Sequence, residues 1–200
     1  TWNIHLKVLL FEKASLTYAC IAESCYNSKN YGLALKNLKL SLLCQEVVKK
    51  YVPSMRTQKN VLFGRIGDCY FHISKSLDRV VNQYVDGFNN ENNLDREILK
   101  QLDKEDLNSI EDDLIEPLES EEKMLECSCK FYENSLIDTT QSRMELVRRL
   151  GNVYNELGAV LMRKAQLLYN NYVEEESKRS EDEKEKKDES SIDTKELNYQ

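Results

Sequence analysis

Leu150-Gly151-Asn152-Val153-Tyr154-Asn155-Glu156-Leu157-Gly158 sets a small residue, an aromatic three places on, and a second glycine four beyond that. Leu146, Leu150, Val153, Leu157, Leu161 and Leu168 keep helical spacing through it, which predicts one long helix over about residues 142–176. A glycine inside a helix costs about 1 kcal/mol relative to alanine, so a packing reason is expected for Gly64 and Gly67 upstream. A small residue lets a second helix come close, and the aromatics beside it fill the remaining gap. The same spacing returns upstream in Phe63, Ile66-Gly67 and Tyr70, and again in Tyr18, Ile21-Ala22 and Cys25.

Around these three anchors the chain reads as helix almost throughout. Leu9, Leu10, Leu16, Ala19, Cys20 and Ile21 predict a first helix from about Val8 to Ser28, and Asn27-Ser-Lys-Asn30 supplies a turn. A second runs from Gly32 to about Tyr51 with Leu35, Leu38, Leu42 and Leu43 on one side, stopped by Pro53. A third spans about Gln58 to Asp86, with Ile66, Tyr70, Ile73, Leu77, Val81 and Tyr84 as its buried stripe. Leu94, Ile98 and Leu102 suggest a short helix within an Asn-rich, acidic stretch. Helix returns from Ser120, a candidate N-cap, to Asp138 through Leu125, Cys129, Tyr132 and Leu136.

The 200 residues are 40% apolar and 32% charged, with only six Gly and two Pro, too few turn-makers for a sandwich or barrel. No apolar run approaches the roughly 18–20 residues that span a bilayer, and the start, Thr-Trp-Asn-Ile-His, lacks an initiator Met and a signal pattern. A soluble chain, excised from something longer, is expected. The net charge of -7 is uneven: residues 86–122 carry 14 acidic against 3 basic side chains, and residues 173–200 carry 11 against 6. The rest is mildly basic. Acidic appendages repel phosphates, which argues against direct nucleic-acid binding. Six cysteines among apolar helical residues read as small core hydrophobes in a reducing intracellular compartment. Cys127-x-Cys129 with only His5 and His72 lacks the spacing of a structural metal site, so no metal or cofactor is expected.

The recurring spacing resembles the tetratricopeptide repeat, a family of about 34-residue helix pairs. Tyr18, Ile21-Ala22 and Cys25, then Tyr31, Ala34, Leu38 and Ser41, hold the places of one nearly full repeat. Phe63 to Tyr70 begin a second, whose other helix returns after the acidic stretch with Ser128, Tyr132 and Ser135 at its small, aromatic and small places. Residues 150–158 begin a third. Arg163 and Asn170 stand where its second helix would need small residues, so one continuous helix is expected there. The resemblance implies an all-α fold: antiparallel helix pairs stacked as a short right-handed solenoid over residues 8–172, with a partly disordered acidic insertion at 86–122. Residues 173–200 form a charged tail, either a helical extension or disordered. An ordinary bundle whose Leu/Tyr stripes imitate the repeat is the competing architecture.

A narrower resemblance rests on Ala22-Glu23 with Tyr26, Asn30-Tyr31-Gly32-Leu33-Ala34-Leu35, Asp95-Arg-Glu-Ile-Leu, Ser128-Cys129-Lys130-Phe131-Tyr132-Glu133, and Leu150-Gly151-Asn152 with Asn155-Glu156-Leu157-Gly158. Over about residues 12–170, outside much of the insertion, the chain is similar to the C-terminal repeat region of the erythroid differentiation-related factor family. That resemblance implies a nuclear, non-enzymatic protein linked to transcriptional control of erythroid differentiation and globin expression.

Catalysis is not expected from the residues either. Asp68 and His72 form an i, i+4 pair on a helix surface with no third member, and no nucleophile, phosphate-loop or zinc-protease motif is present. In the tetratricopeptide family, first-helix positions 2, 5, 9 and 12 line a concave groove, which implies Glu23, Tyr26, Asp68, Phe71, Arg148, Asn152 and Asn155 as candidate groove residues, with Leu16, Ala19, Val61, Gly64 and Glu145 filling the remaining places. Tyr26 and Phe71 are candidate aromatic anchors. Ala19 and Glu23 stand where a carboxylate clamp wants Lys and Asn, which disfavours capture of a chaperone C-terminus. A protein or peptide ligand in the groove, and the remainder of a longer parent chain, are the expected partners; no membrane is. The alternative is a purely structural segment of a longer solenoid, which an exposed apolar surface near Leu157, Leu161 and Leu168 would favour. Ser180-Glu-Asp-Glu183 suits an acidophilic kinase, and phosphoproteomic coverage showing only unmodified peptide would count against it.

Overall fold

The structure, a computed structural model, describes residues 3–55, 58–76, 98, 120–137 and 143–196, with side chains to residue 180. Five long helices carry it: α1 (Ile4–Asn27), α2 (Tyr31–Tyr51), α3 (Lys59–Ser74), α4 (Glu121–Ile137) and α5 (Arg143–Glu196). No strand occurs among the described residues. The chain divides into two compact units, Thr1–Leu157 and Gly158–Gln200, with the division inside α5.

Local chemistry sets the helix ends. Asn3 Oδ1 accepts from the His5 amide at 3.0 Å and caps α1, which begins four residues earlier than its apolar spacing suggests. At its far end Lys29 takes the left-handed φ of 59°, and the Asn30 amide folds back to Cys25 O at 2.9 Å. Asn30 Oδ1 then accepts from the Leu33 amide at 3.2 Å, so one short turn closes α1 and opens α2. Val52, just before Pro53, leaves the helical region at φ -133° and ψ 77°, and α2 stops there. Ser120 Oγ accepts from the Lys123 amide at 3.1 Å and caps α4, the role its sequence context suggests.

Successive helices pair antiparallel. Ser15 on α1 and Ser41 on α2 exchange buried hydrogen bonds, Ser15 Oγ to Ser41 O at 3.1 Å and Ser41 Oγ to Ser15 O at 2.9 Å. Lys7 Nζ near the start of α1 reaches Tyr51 OH at the end of α2, 3.2 Å away. On α3 and α4, Ser128 Oγ donates to Gly67 O at 2.8 Å and Ser135 Oγ to Asn60 O at 2.7 Å, again early against late. α2 also packs on α3. Two apolar clusters result, one built on Leu35, Ile66, Tyr70, Ile73 and Met124, the other on Phe11, Tyr18, Cys44, Val47 and Ile98.

Several expectations change. α1 buries Phe11, Ala14, Ser15, Tyr18 and Ala22, whereas Leu9 and Leu16 are about half exposed and Cys20 is exposed. The core cysteines are therefore Cys44, Cys69, Cys127 and Cys129; Cys25 is partly covered. Residues 34–41 of α2 are buried without interruption, because neighbours enclose the helix on every side rather than one, and Lys39 places its ammonium 5.5 Å over the Tyr70 ring. α3 ends at Ser74, not near Asp86: its capping amides turn back to His72 O and Ile73 O, and the hydroxyl of Ser76 to His72 O. Leu77, Val81 and Tyr84, the short helix around Leu94 and Leu102, and nearly all of the 86–122 insertion lie outside the described residues; Ile98 is helical and fully buried. α5 continues to Glu196, twenty residues past its expected end.

The glycines of the repeated spacing differ in what they meet. A Cβ on Gly67 would lie 3.1 Å from the Tyr132 ring, and one on Gly64 3.3 Å from Ser135 Oγ. At Gly151 and Gly158 none of the described residues comes within 4 Å of a Cβ. Gly67→Ala is expected to lower stability by about 1 kcal/mol, because overpacking costs about 1–3 kcal/mol against a helix gain of about 1. Gly151→Ala is expected to raise it by about 0.5–1 kcal/mol. Urea unfolding midpoints check both signs, and a Gly67→Ala protein as stable as the parent would contradict the packing.

Candidate functional site

Four helices of the first unit enclose a cleft of about 230 Å³. α1 contributes Tyr26; α3 contributes Arg65, Asp68, Phe71 and His72; α4 contributes Tyr132; α5 contributes Glu145, Arg148, Arg149, Asn152 and Val153. The 3- and 4-residue steps of α3 put Asp68, Phe71 and His72 on adjoining faces, and those of α5 do the same for Glu145, Arg148, Arg149 and Asn152.

The floor is a charge network centred on Asp68, whose side chain is 7% exposed. Arg149 Nη1 donates to Asp68 Oδ1 at 3.0 Å and Oδ2 at 2.8 Å, and Tyr132 OH donates to Oδ1 at 2.5 Å. Arg65 Nη1 approaches Oδ2 at 3.5 Å while its Nη2 pairs with Glu23 Oε1 at 2.8 Å. The same guanidinium lies 4.8 Å over the Tyr26 ring. Arg149 Nε reaches Glu145 Oε1 at 3.0 Å, and Arg148 binds Glu145 through Nη2 at 2.8 Å and Nε at 3.0 Å. Hydrogen bonds from Arg148 and then Arg149 hold the Glu145 carboxyl down at about 2. Burial, with Asp68 beside it, raises the Tyr132 phenol far above its ordinary value, and the same two causes push Tyr26 up to about 12 against the opposing charge of Arg65.

Asp68 and His72 are not the surface pair their spacing suggests. α5 covers Asp68 and brings Arg149 to it, and His72 stacks on Tyr31 with centroids 4.4 Å apart and planes at 10°. Edge contacts from Tyr26 and Phe71 complete the aromatic surround. Burial lowers the imidazole below its ordinary value, opposed by Asp68.

Of the seven candidate groove residues, Tyr26, Asp68, Phe71, Arg148 and Asn152 line this one cleft. Glu23 stands one ion pair behind it through Arg65, and Asn155 is an exposed residue of α5 outside the lining. Asp68 is already taken up internally. Arg148 keeps its side chain 69% exposed while holding Glu145, and Asn152 is exposed. Leu16 lies elsewhere, in a second cleft of about 220 Å³ with Glu12, Val48 and Met55, where Gln45 Oε1 is a buried acceptor without a partner among the described residues. Gly64 is buried beneath Ser135 and Leu146. Arg65, Arg149 and Tyr132, which organise the floor, were not singled out by groove position; the paired Arg148-Arg149 in an otherwise apolar stripe was the available signal. Among the described residues no group of three His, Cys, Asp or Glu is placed to hold a metal ion, and no helix is long and apolar enough to cross a membrane.

Comparison with known proteins gives a distant relationship. The chain is 25% identical to mouse erythroid differentiation-related factor 1 over 84% of its length, and 24% identical to the human and Sumatran orangutan proteins of that name over the same share. It spans 14% of the mouse and human proteins. No family model matches the chain, and no solved structure matches it.

Asp68→Ala is expected to destabilise the protein by about 1–3 kcal/mol, since it leaves the buried Tyr132 phenol without its acceptor and takes from Arg149 the buried one of its two carboxylates. Adding Arg149→Met should restore more than half of that loss in urea unfolding; simple additivity of the two changes would contradict the network. His72 gives a pH signature. Its folded value lies below the ordinary value of about 6.5, so the unfolded chain binds more protons and stability falls as pH drops below about 6.5. His72→Phe keeps the ring on Tyr31 and removes the proton, so its urea midpoint should fall less than the parent's between pH 7.5 and 5; parallel profiles would contradict this.

Proposed function

We propose that this chain is a non-enzymatic protein-interaction scaffold of tetratricopeptide type, whose helix pairs stack as a short right-handed solenoid and whose ligand occupies the cleft of Tyr26, Phe71, Arg148 and Asn152. The observation that carries the reading is the convergence of those residues, from α1, α3 and α5, on one concave surface. Antiparallel pairing of α1 with α2 and of α3 with α4, with a small residue under an aromatic at Gly67, supports the repeat type. The acids of the cleft are engaged by arginines, and His72 is engaged by aromatic rings, which suits recognition better than proton transfer. The cleft offers half-buried aromatics beside a guanidinium and an amide, a surface for a peptide or helix with an acidic group next to an apolar one. Similarity to erythroid differentiation-related factor 1 supports a role within a nuclear factor linked to transcriptional control of erythroid differentiation and globin expression.

A structural role within a longer solenoid is the second reading, and a specific observation favours it. Leu161 is 45% exposed and Leu168 64%, and open space lies beside Gly151. Apolar surface of this kind marks contact with further protein.

The test is quantitative affinity capture from nuclear and cytoplasmic extracts with the parent chain and a Phe71→Ala/Arg148→Glu variant, each checked for helicity and melting. Loss of at least tenfold of a defined set of proteins with the variant is the expected result. Identical captured sets, or none, would contradict the groove reading and leave the structural one.

A further inference from the structure

α3 and the start of α5 carry the same spacing, and only one of them is covered. Phe63, Ile66, Gly67 and Tyr70 on α3 correspond in register to Val147, Leu150, Gly151 and Tyr154 on α5. On α3 the match is complete. Ile66 and Tyr70 are fully buried, α4 lays the Tyr132 ring against Gly67, and Ser128 and Ser135 donate to α3 carbonyls on either side. Tyr70 sits between two helices, with Lys39 of the preceding α2 over its ring and Phe131 of α4 stacked 5.6 Å away. Tyr154 has the first half of that setting, since its hydroxyl donates to Glu133 on the preceding α4. Among the described residues the second half is missing: Tyr154 is 47% exposed, Val147 51%, and no described residue lies within 4 Å of a Cβ at Gly151.

We propose that the face of Val147, Gly151 and Tyr154 is a half-built helix pair that docks an amphipathic helix of α4 chemistry, an aromatic seated over Gly151 with small hydroxyl residues four before and three after it. The internal precedent defines the occupant. On α3 the aromatic reaches within 3.1 Å of the Gly67 Cβ position, an approach that a larger residue there would crowd, and the serines donate to helix carbonyls that the contact buries. The inference rests on the repeat reading above and concerns a different surface from the cleft.

A synthetic peptide of residues 120–137, carrying Ser128, Tyr132 and Ser135, is the probe; its labelled form is titrated with the full 200-residue chain and followed by fluorescence anisotropy. Saturable binding to the parent is expected, weakened at least tenfold by Gly151→Gln in the chain or by Tyr132→Ala in the peptide. Phe71→Ala, a cleft change on α3 away from this face, should bind the peptide as the parent does. Equal binding to parent and Gly151→Gln, or no saturable binding, overturns the proposal. Loss only in the cleft variant overturns it while leaving the cleft reading intact. Self-association of the parent that Gly151→Gln abolishes, without peptide binding, would assign the face to a second copy instead.

Discussion

Asp68 is nearly out of water, and a carboxylate in that position is tolerable only because Arg149 and Tyr132 both reach it. The charge decides where three helices lie. Arg149 must come down on α3, which brings the first turns of α5 across the α3–α4 pair and places Leu146 near Gly64. Tyr132 must keep its hydroxyl on Asp68, which fixes its ring over Gly67 and leaves a Cβ there only 3.1 Å from it. Arg65 then turns toward Glu23 and Tyr26, carrying the same electrostatics to α1.

The cleft is a by-product of that network. Its floor is closed by ion pairs, so the surface presented outward consists of the aromatic edges of Tyr26 and Phe71, the half-buried His72 and the outer parts of Arg148 and Asn152. Arg148 and Arg149 share Glu145, which preorganises the two guanidiniums that would otherwise repel each other. A ligand would meet groups already held in place and would pay less to order them.

What the sequence could show depended on the range of the interaction. The spacing around Gly67 and the small-aromatic-small places of α4 were legible because both sides of that contact follow one repeat. On α1 Leu9 and Leu16 recur at the same seven-residue interval as Phe11 and Tyr18, and periodicity alone cannot tell which stripe faces the core. Asp68 and His72 looked like partners because i, i+4 neighbours are visible locally, whereas Arg149, 81 residues away, is not. The groove positions gathered Tyr26, Asp68, Phe71, Arg148 and Asn152 in one place, yet spacing gave no hint that Asp68 would be consumed within the fold. At Gly151 the motif is present and no described residue packs against it: a local pattern records what a helix can accept, not what lies against it.

The central claim is that one buried carboxylate docks the start of α5 onto the α3–α4 pair. Backbone amide hydrogen exchange across residues 146–154, compared between the parent and Asp68→Asn, tests it most directly. Exchange there is expected to be at least tenfold faster, a clearly larger rise than at residues 14–22 and 34–41 in the α1–α2 pair. Unaltered protection at 146–154, or the same loss along every helix, would contradict it.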